Sequence, residues 1–229
     1  MITVHHLENS RSQRVLWLLE ELGVPYRVQR YLRDRKTMLA PPELLAVHPL
    51  GKSPVITDDT LPDGEQTIAE SGAIMEYLLA RYGQVSGLKP VEGSAGQRRF
   101  TYWLHYAEGS AMPPLLLSLV FSRIRSAPMP FFVKPIARLI ADKAMDGFIT
   151  PQLKTHFDFM ESQLASRDWF GGDAFTAADI QMSFPIEAGK ARGMVGHNRP
   201  HLDKFLQRIH ARAAYQTALE QGGPYDLLS

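Results

Sequence analysis

Residues 48–75, HPLGKSPVITDDTLPDGEQTIAESGAIM, constrain the possible folds of this chain more than any other stretch of its sequence. The stretch contains a short β-rich run over 53–57, then the turn residues DDTLPDG, then a second strand pattern over 66–68. An apolar-periodic helix begins at Ser71. Together these signals predict a hairpin that leads directly into the N-terminus of a helix.

Glu70 and Ser71 stand at the start of this predicted helix. A helix start presents free backbone N–H groups and the positive end of the helix dipole, so the region of Ser71 can hold a carboxylate. The carboxylate of Glu70 suits an ammonium group. We therefore predict a receptor for the zwitterionic head of an amino acid, with Lys52 at some distance for a second carboxylate. The alternative is that Glu70 and Ser71 only cap the helix, which is their commonest role.

The predicted elements of residues 1–82 follow the order strand, helix, strand, helix, strand, strand, helix. This order is typical of a thioredoxin-like α/β layer of four strands. Residues 83–94 are rich in Gly, Pro and Ser without helical periodicity, and we interpret them as a linker. Residues 95–229 have helical patterns. The sequence thus predicts two domains, a thioredoxin-like α/β domain followed by an all-α helical domain.

The composition excludes several kinds of partner and site. With 25 basic and 24 acidic residues the net charge is +1, so no overall field recruits nucleic acid or an anionic membrane. The lack of cysteine excludes disulfides, thiolate metal sites and a CxxC redox pair. The eight histidines have no metal-ligand spacing, and we expect no metal site. The expected partner is a small molecule, and any thiol chemistry must use a thiol that the ligand brings.

The first ten residues, MITVHHLENS, lack the basic start and apolar core of a signal peptide. No apolar run approaches the roughly 20 residues that a membrane-spanning helix needs. We therefore expect a cytoplasmic protein without a membrane span.

The segment GKSPV, the hairpin and ESGAIMEYL resemble the glutathione-binding half of the glutathione S-transferase family. FTAADIQMSF resembles the capping motif of a buried helix in that family's second domain. YWLHYAEGSAMPPLL resembles a bacterial and fungal subgroup of the family. The resemblance implies a cis Pro54 and a backbone contact between Val55 and the cysteinyl part of glutathione. It also implies that Glu70 and Ser71 bind the γ-glutamyl group.

Thr176 and Asp179 have the spacing of a capping box, in which a hydroxyl and an acid close the first turn of a helix. We interpret this pair as a structural feature rather than as catalytic residues. The resemblance agrees, because it places the capping motif of the buried helix at the same two residues.

A thiol with a pKa near about 8.5 is only a few per cent ionised at neutral pH, and the thiolate is the nucleophile. A hydroxyl that donates to the sulfur lowers that pKa by about one to two units. The family places such a hydroxyl just after the first strand, and comparison of RVLWLLEELGVPY with its serine classes assigns it to Ser10. Ser12 is the nearest competitor, and Asn9 offers its amide. Alternatively, Ser10 only caps the first helix.

The resemblance implies a glutathione transferase with a role in detoxification, which uses glutathione as co-substrate, needs no other cofactor and attacks an apolar electrophile. The sequence leaves the reduction of organic hydroperoxides open as a second reaction. We expect the electrophile pocket between the domains, along the first long helix, which carries Trp103, Tyr106, Met112 and Phe121. The competing hypothesis is a non-catalytic protein of the same fold that binds glutathione or a protein partner.

The resemblance also implies a homodimer, in which the N-terminal domain of one subunit faces the helical domain of the other. The apolar run from Leu115 to Phe121 needs cover, and a neighbouring subunit is one way to provide it. A third interpretation treats the run from Pro113 to Phe121 and the basic stretch from Arg123 to Arg138 as a membrane-surface patch. Burial in a dimer is the simpler explanation of this run.

Overall fold

The structure, a computed structural model, describes residues 1–228. Its N-terminal part contains a four-stranded sheet of order β2-β1-β3-β4. The strands are β1 (Ile2–Leu7), β2 (Tyr26–Tyr31), β3 (Val55–Asp58) and β4 (Gln66–Ala69). β1 and β2 are parallel, whereas β3 is antiparallel to both of its neighbours, β1 and β4.

Three helices complete this sheet layer, namely α1 (Gln13–Leu22), α2 (Glu43–Val47) and α3 (Ser71–Tyr82). The observed order of strands and helices is the predicted thioredoxin-like order, and this prediction is confirmed. α1 ends at Gly23, whose φ of 63° is a left-handed conformation that glycine adopts without steric cost. The chain therefore turns sharply there and enters β2.

From Ala95 onward the described chain is mainly helical, as predicted. The helices are α4 (Ala95–Tyr106), α5 (Met112–Ser126), α6 (Lys134–Ala144), α7 (Thr150–Leu164), α8 (Ala177–Lys190), α9 (Pro200–His210) and α10 (Ala213–Gly222). A short 3-10 turn follows over Asp226–Leu228. Within residues 1–228, none of the helices is long and apolar enough to cross a membrane.

Two π-helical turns lie directly before prolines. Ala107–Ala111 connects α4 to α5, which has Pro113 and Pro114 in its first turn. Met145–Ile149 connects α6 to α7, which has Pro151 in its first turn. Proline lacks an N–H and its ring clashes with the preceding turn, so a wider turn accommodates it without ending the helix. At both places the helical backbone is thus widened locally and continues past the prolines.

α1 is the element that both parts of the molecule share. It packs against α3 of the sheet layer and against α8 and α10 of the helical part. Its residues 13–19 are buried, and Trp17 meets the ring of Tyr215 edge-on with the ring centroids 5.0 Å apart. Because α1 directly follows β1, the loop between them lies where the two parts meet.

The end of β1, the start of β3 and the end of β4 lie at the same edge of the sheet. His5 pairs with Val55, and Val55 pairs with Ala69 on its other side. Since Glu70 follows Ala69, α3 also begins at this edge, next to the loop that leads from β1 into α1. The fold therefore gathers predicted site residues from three separate stretches of sequence.

The start of α8 is closed by its own side chains. The buried carboxylate of Asp179 accepts hydrogen bonds from the N–H groups of Phe170 (2.7 Å) and Thr176 (2.8 Å) and from the Thr176 hydroxyl (3.0 Å). Burial raises the pKa of Asp179 to about 7, against these hydrogen bonds, which lower it. The contacts tie the loop before α8 to the first turn of the helix.

Candidate functional site

A cavity of about 370 Å³ opens between the sheet layer and the helical part, beside the loop that joins β1 to α1. On the sheet side its wall includes Leu7, Asn9, Ser10, Lys52 and Ser53. On the helical side its wall includes Met112, Leu115, Leu116 and Leu119 of α5, together with Phe184 of α8. One side of the cavity is therefore largely polar and the other is apolar.

Four basic side chains line this cavity, and within the described chain no acidic side chain does. They are Arg11, Arg33, Lys52 and Arg192. Arg11 pairs with Glu108, and the guanidinium groups of Arg33 and Arg192 donate to backbone carbonyls. The ammonium of Lys52 makes no hydrogen bond or ion pair with any residue in 1–228. An anion that enters the cavity therefore finds an available cation at Lys52.

The hydroxyl of Ser10 ends a chain of hydrogen bonds that begins at His6. Ser10 Oγ accepts a hydrogen bond from the N–H of Ser12 (3.2 Å) and shares another with Ser12 Oγ (2.7 Å). Ser12 Oγ in turn shares a hydrogen bond with Nδ1 of His6 (2.8 Å). Ser12 is fully buried, whereas Ser10 lies in the cavity wall. Of the two serines, only the hydroxyl of Ser10 can reach a ligand in the cavity.

His6 is neutral at pH 7, because burial lowers its pKa to about 4. A hydrogen bond with the backbone of Gly222 opposes this shift. The Ser12 hydroxyl also lies within reach of the carbonyl oxygen of Leu7 (3.4 Å), and either serine can be the donor in the bond between them. In the free protein the Ser10 hydroxyl is therefore engaged by Ser12.

Asn9 is engaged by the C-terminal tail. Its Nδ2 donates to the carboxylate of Asp226 (2.7 Å), and its Oδ1 accepts from the N–H of the same residue (2.7 Å). Leu227, the next residue, lines the cavity. The tail thus forms part of the site wall, a role that no local sequence pattern indicates. The Asn9 amide, one of the predicted alternatives for the thiol contact, already has a carboxylate partner.

The start of α3 has no side-chain cap within the residues that the structure describes. Glu70 occupies the N-cap position, is exposed, and has a φ of 71°, a value that few non-glycine residues adopt. Ser71 is buried, and its hydroxyl accepts a hydrogen bond from Arg14 (3.0 Å). The first N–H groups of α3 therefore keep their capacity to bind an external acceptor.

Arg14 is a buried site residue that the sequence patterns did not predict. Besides its bond to Ser71, its guanidinium donates to the carbonyl oxygen of Gln181 (2.7 Å) and pairs with Glu108. Burial lowers the pKa of Arg14, and the carboxylate of Glu108 opposes that shift. The available signal was its position one turn before Leu18, on the buried face of α1. The charge of Arg14 favours an anion at the start of α3.

The Ser53–Pro54 peptide bond is cis. The Ser53 hydroxyl donates to the carbonyl oxygen of His5 (2.9 Å) and accepts from the N–H of Leu7 (3.3 Å). The loop before Pro54 is thereby fixed against the end of β1. Val55 follows as the buried first residue of β3.

The predicted catalytic and glutathione-binding residues occupy two adjoining places. Ser10 and Lys52 line the cavity. Val55, Glu70 and Ser71 lie at the neighbouring edge of the sheet, where β3 begins and α3 starts. A ligand that uses both places must be extended and charged at both of its ends.

The apolar wall differs in part from the prediction for the first long helix. Met112 lines the cavity, as expected of a residue on that helix. Trp103 and Tyr106 are buried instead, and their rings pack against Phe159 with centroids 5.5 and 5.8 Å away. These two aromatic side chains belong to the core of the helical part.

Comparison with known proteins agrees with this architecture. The family model "Glutathione S-transferase, N-terminal domain" matches residues 10–81, and "Glutathione S-transferase, C-terminal domain" matches residues 129–213. The first match lies in the sheet layer and the second lies in the helical part.

Relatives match over nearly the whole chain. Glutathione S-transferase 1 of Saccharomyces cerevisiae is 34% identical over 224 residues, which cover 96% of this chain and 95% of the yeast protein. Glutathione S-transferase 3 of Schizosaccharomyces pombe is 35% identical over 222 residues, which cover 96% of this chain and 88% of the S. pombe protein.

Solved structures show the same similarity. The crystal structure of a glutathione S-transferase from Actinobacillus pleuropneumoniae has a TM-score of 0.78 at 30% identity, covering 100% of this chain and 96% of that one. A glutathione transferase family member from Pseudomonas fluorescens, solved with two glutathione bound, has a TM-score of 0.71 at 27% identity. The match covers 96% of this chain and 92% of that one. With both domains matched and identities above 30% over most of its length, this chain belongs to the glutathione S-transferase family.

Proposed function

We propose that this protein is a glutathione transferase, which activates the thiol of glutathione and directs it at an apolar electrophile. The observation that carries the proposal is the interdomain cavity, where Ser10 and Lys52 face the apolar wall of α5 beside the uncapped start of α3. Such a cavity suits a charged thiol compound on one side and an apolar compound on the other. The thiol must come from the ligand, because the chain has no cysteine.

The charged ends of glutathione match the two places of the site. The γ-glutamyl carboxylate binds the N–H groups at the start of α3, where Arg14 adds positive charge behind Ser71. The γ-glutamyl ammonium pairs with the exposed carboxylate of Glu70. The glycyl carboxylate pairs with Lys52, and the family resemblance assigns the cysteinyl backbone contact to Val55. The related Pseudomonas fluorescens protein was solved with two glutathione bound.

Ser10 stabilises the thiolate by exchanging its hydrogen-bond partner. In the free protein its hydroxyl shares a hydrogen bond with Ser12 Oγ, a neutral group. A sulfur anion beside Ser10 is the better acceptor, since a charge-assisted hydrogen bond is roughly twice as strong as a neutral one. Ser12 keeps its own bond to His6 when Ser10 turns. The exchange lowers the pKa of the bound thiol by about one unit or more.

The thiolate then attacks the electrophilic carbon, a carbon–sulfur bond forms, and the leaving group departs with its electron pair. Leu115, Leu116 and Leu119 hold the apolar compound against the polar side of the cavity and keep water from it. Conjugation of this kind makes an apolar compound more water-soluble, which fits a role in detoxification.

The test combines glutathione-affinity retention with turnover of an aryl halide and of an organic hydroperoxide. We expect retention, conjugation of the aryl halide, and loss of turnover with retained binding in Ser10→Ala. Turnover of the hydroperoxide would add peroxidase activity to the function. Retention without turnover of either substrate would support the competing hypothesis of a non-catalytic glutathione-binding protein, and no retention at all would contradict both.

We also propose that the protein is a homodimer, in which the sheet layer of one subunit faces the helical part of the other. The support is the family resemblance. Sedimentation at micromolar concentration should give about twice the subunit mass of 25.7 kDa. A species of the subunit mass alone would contradict the proposal.

A further inference from the structure

The exposed apolar surface of this protein is concentrated in one segment. Ten of the twenty large apolar side chains that are exposed in the described chain lie between residues 116 and 140. We call this segment, which comprises most of α5, the following loop and the first part of α6, the α5–α6 arm. Apolar surface gathered in this way marks an interaction site, whereas single exposed apolar residues do not.

α6 carries its large apolar side chains on the outside. Ile136, Leu139 and Ile140 share one face of the helix by their spacing, and all three are more than half exposed. The buried position on α6 is occupied by the small side chain of Ala141, which is 0% exposed. A helix that packs only on the protein core has the opposite arrangement, with its large side chains inside. The outer face of α6 is therefore an exposed apolar surface, which is typical of an interaction site.

The loop before α6 ends in an exposed aromatic pair. Phe131 and Phe132 are 84% and 66% exposed, and their rings meet edge-on with centroids 5.6 Å apart. Val133 and Ile136 extend this apolar tip into the first turn of α6. The tip projects rigid, bulky apolar groups that can enter an apolar medium.

The arm and the turn that follows it are more basic than the rest of the chain. Residues 113–148 include five basic and two acidic residues, a net charge of +3. The rest of the chain has 20 basic and 22 acidic residues, a net charge of −2. Arg125 pairs with Asp142. Within residues 1–228 the other four cations, Arg123, Lys134, Arg138 and Lys143, form no ion pair. The arm thus combines exposed apolar side chains with unneutralised positive charge.

The positive charge of the arm indicates which kind of partner can cover its apolar surface. A second copy that packed its own arm on this face would place the same cations against each other. Coverage by the sheet layer of a second copy is separated from lipid docking by the sedimentation measurement of the test below. An anionic lipid surface accepts the aromatic tip and the outer face of α6 at its boundary, and its headgroups neutralise the lysine and arginine side chains of the arm. We propose that the α5–α6 arm docks on anionic membrane surfaces without spanning them.

The arm adjoins the cavity. Leu116 is exposed on the arm and also lines the apolar wall. A docked arm therefore brings the cavity close to the lipid, from which apolar electrophiles can enter. This last consequence rests on the proposed function, whereas the docking itself does not.

The test is cosedimentation of the full chain with vesicles of phosphatidylcholine containing about 30% phosphatidylserine, compared with pure phosphatidylcholine. We expect binding to the anionic vesicles, at least about tenfold weaker binding to the neutral ones, and weakening by salt. The double variant Phe131→Asp/Phe132→Asp should lose at least about tenfold in partitioning. Lys134→Glu/Arg138→Glu should lose a similar factor on anionic vesicles.

The matched control is Val85→Asp/Val91→Asp, which changes two valines that are 98% and 81% exposed outside the arm. It should bind vesicles like the wild type. The proposal is overturned if the wild type does not bind anionic vesicles, or if the phenylalanine or charge variants bind as it does. It is also overturned if Phe131→Asp/Phe132→Asp lowers the oligomer mass in sedimentation without lipid, since a second copy then covers the arm. Because vesicle binding needs no glutathione, its failure is distinguishable from a failure of the proposed function.

Discussion

Two helices of this protein, α3 and α8, begin at similar sequence signals but at different local structures. At the start of α8, the carboxylate of Asp179 accepts three hydrogen bonds, from Phe170 and Thr176, and is fully buried. At the start of α3, the described residues provide no side-chain cap, and Glu70 is exposed with a left-handed φ. An acid and a hydroxyl are present in both cases, yet only one pair bonds to its own helix.

The hydrogen-bond partners at a helix start distinguish a folding feature from a candidate binding site. A helix start whose N–H groups and side chains satisfy each other contributes to stability and has little left for a ligand. A helix start without such partners, placed beside the buried cation of Arg14, can bind an external anion. Substitutions at the closed start of α8 should therefore change folding, and those at the open start of α3 should change binding.

The largest expected effect is at the closed start. Asp179→Ala should lower the free energy of unfolding by roughly 3 to 5 kcal/mol, because it leaves the N–H groups of Phe170 and Thr176 buried without an acceptor. Urea unfolding followed by circular dichroism measures this change. Asp173→Ala is the control, since Asp173 is an exposed carboxylate of the same loop. Equal stability of both variants would break the distinction between the two helix starts.

The second effect concerns pH and the buried His6. Its pKa is about 4 in the folded protein and 6.5 unfolded, so the unfolded chain binds the proton more strongly. Stability that is present above pH 6.5 should therefore be lost as the pH falls toward 4, by about 3 kcal/mol. Urea unfolding at pH 7 and pH 4 measures the loss.

The variant His6→Gln isolates this contribution from other titrating groups such as Asp179. Between pH 7 and pH 4, the free energy of unfolding of this variant should fall by about 3 kcal/mol less than that of the wild type. His105→Gln, at an exposed position, should behave like the wild type. The same pH dependence in all three proteins would show that His6 is not held neutral by the fold.

A smaller effect is expected at Ser10, in the wall of the cavity. Ser10→Ala should raise the pKa of the bound glutathione thiol by about one unit and leave glutathione affinity nearly intact. The ultraviolet absorbance of the thiolate against pH measures the shift. Ser94→Ala is the control, because Ser94 is a true helix cap that accepts from the N–H of Gln97, and its loss should cost about 1 kcal/mol of stability only. Superimposable absorbance curves for the wild type and Ser10→Ala would remove Ser10 from the mechanism.

The smallest effect on folding is expected at the open start itself. Glu70→Gln should change the free energy of unfolding by less than about 0.5 kcal/mol, since the side chain is exposed and caps nothing in the described chain. Urea unfolding of Glu70→Gln and of Asp179→Ala under the same conditions measures both changes in the free energy of unfolding. A large loss of stability in Glu70→Gln would mean that the start of α3 is also a folding feature.

Local sequence signals predicted much of the fold. The bounds of α2 and α3 follow from apolar periodicity and from the residues at their ends, which act over a few positions. The candidate site depended more on contacts between distant residues. Asn9 forms a hydrogen bond with Asp226, which is 217 residues away in the sequence, and Arg14 forms an ion pair with Glu108 of the helical part. No short-range pattern encodes these contacts, because they exist only once α1 lies between the two parts.

Calorimetric titration of Glu70→Gln with glutathione tests whether the start of α3 binds the γ-glutamyl head. We expect a loss of roughly 1 to 3 kcal/mol, or about fivefold to 150-fold in affinity, because the variant removes a charged hydrogen-bond partner. Glu76→Gln makes the same change at an exposed position on the same helix and should bind glutathione like the wild type. Equal affinities for the wild type and both variants would show that Glu70 at the start of α3 does not bind the γ-glutamyl head.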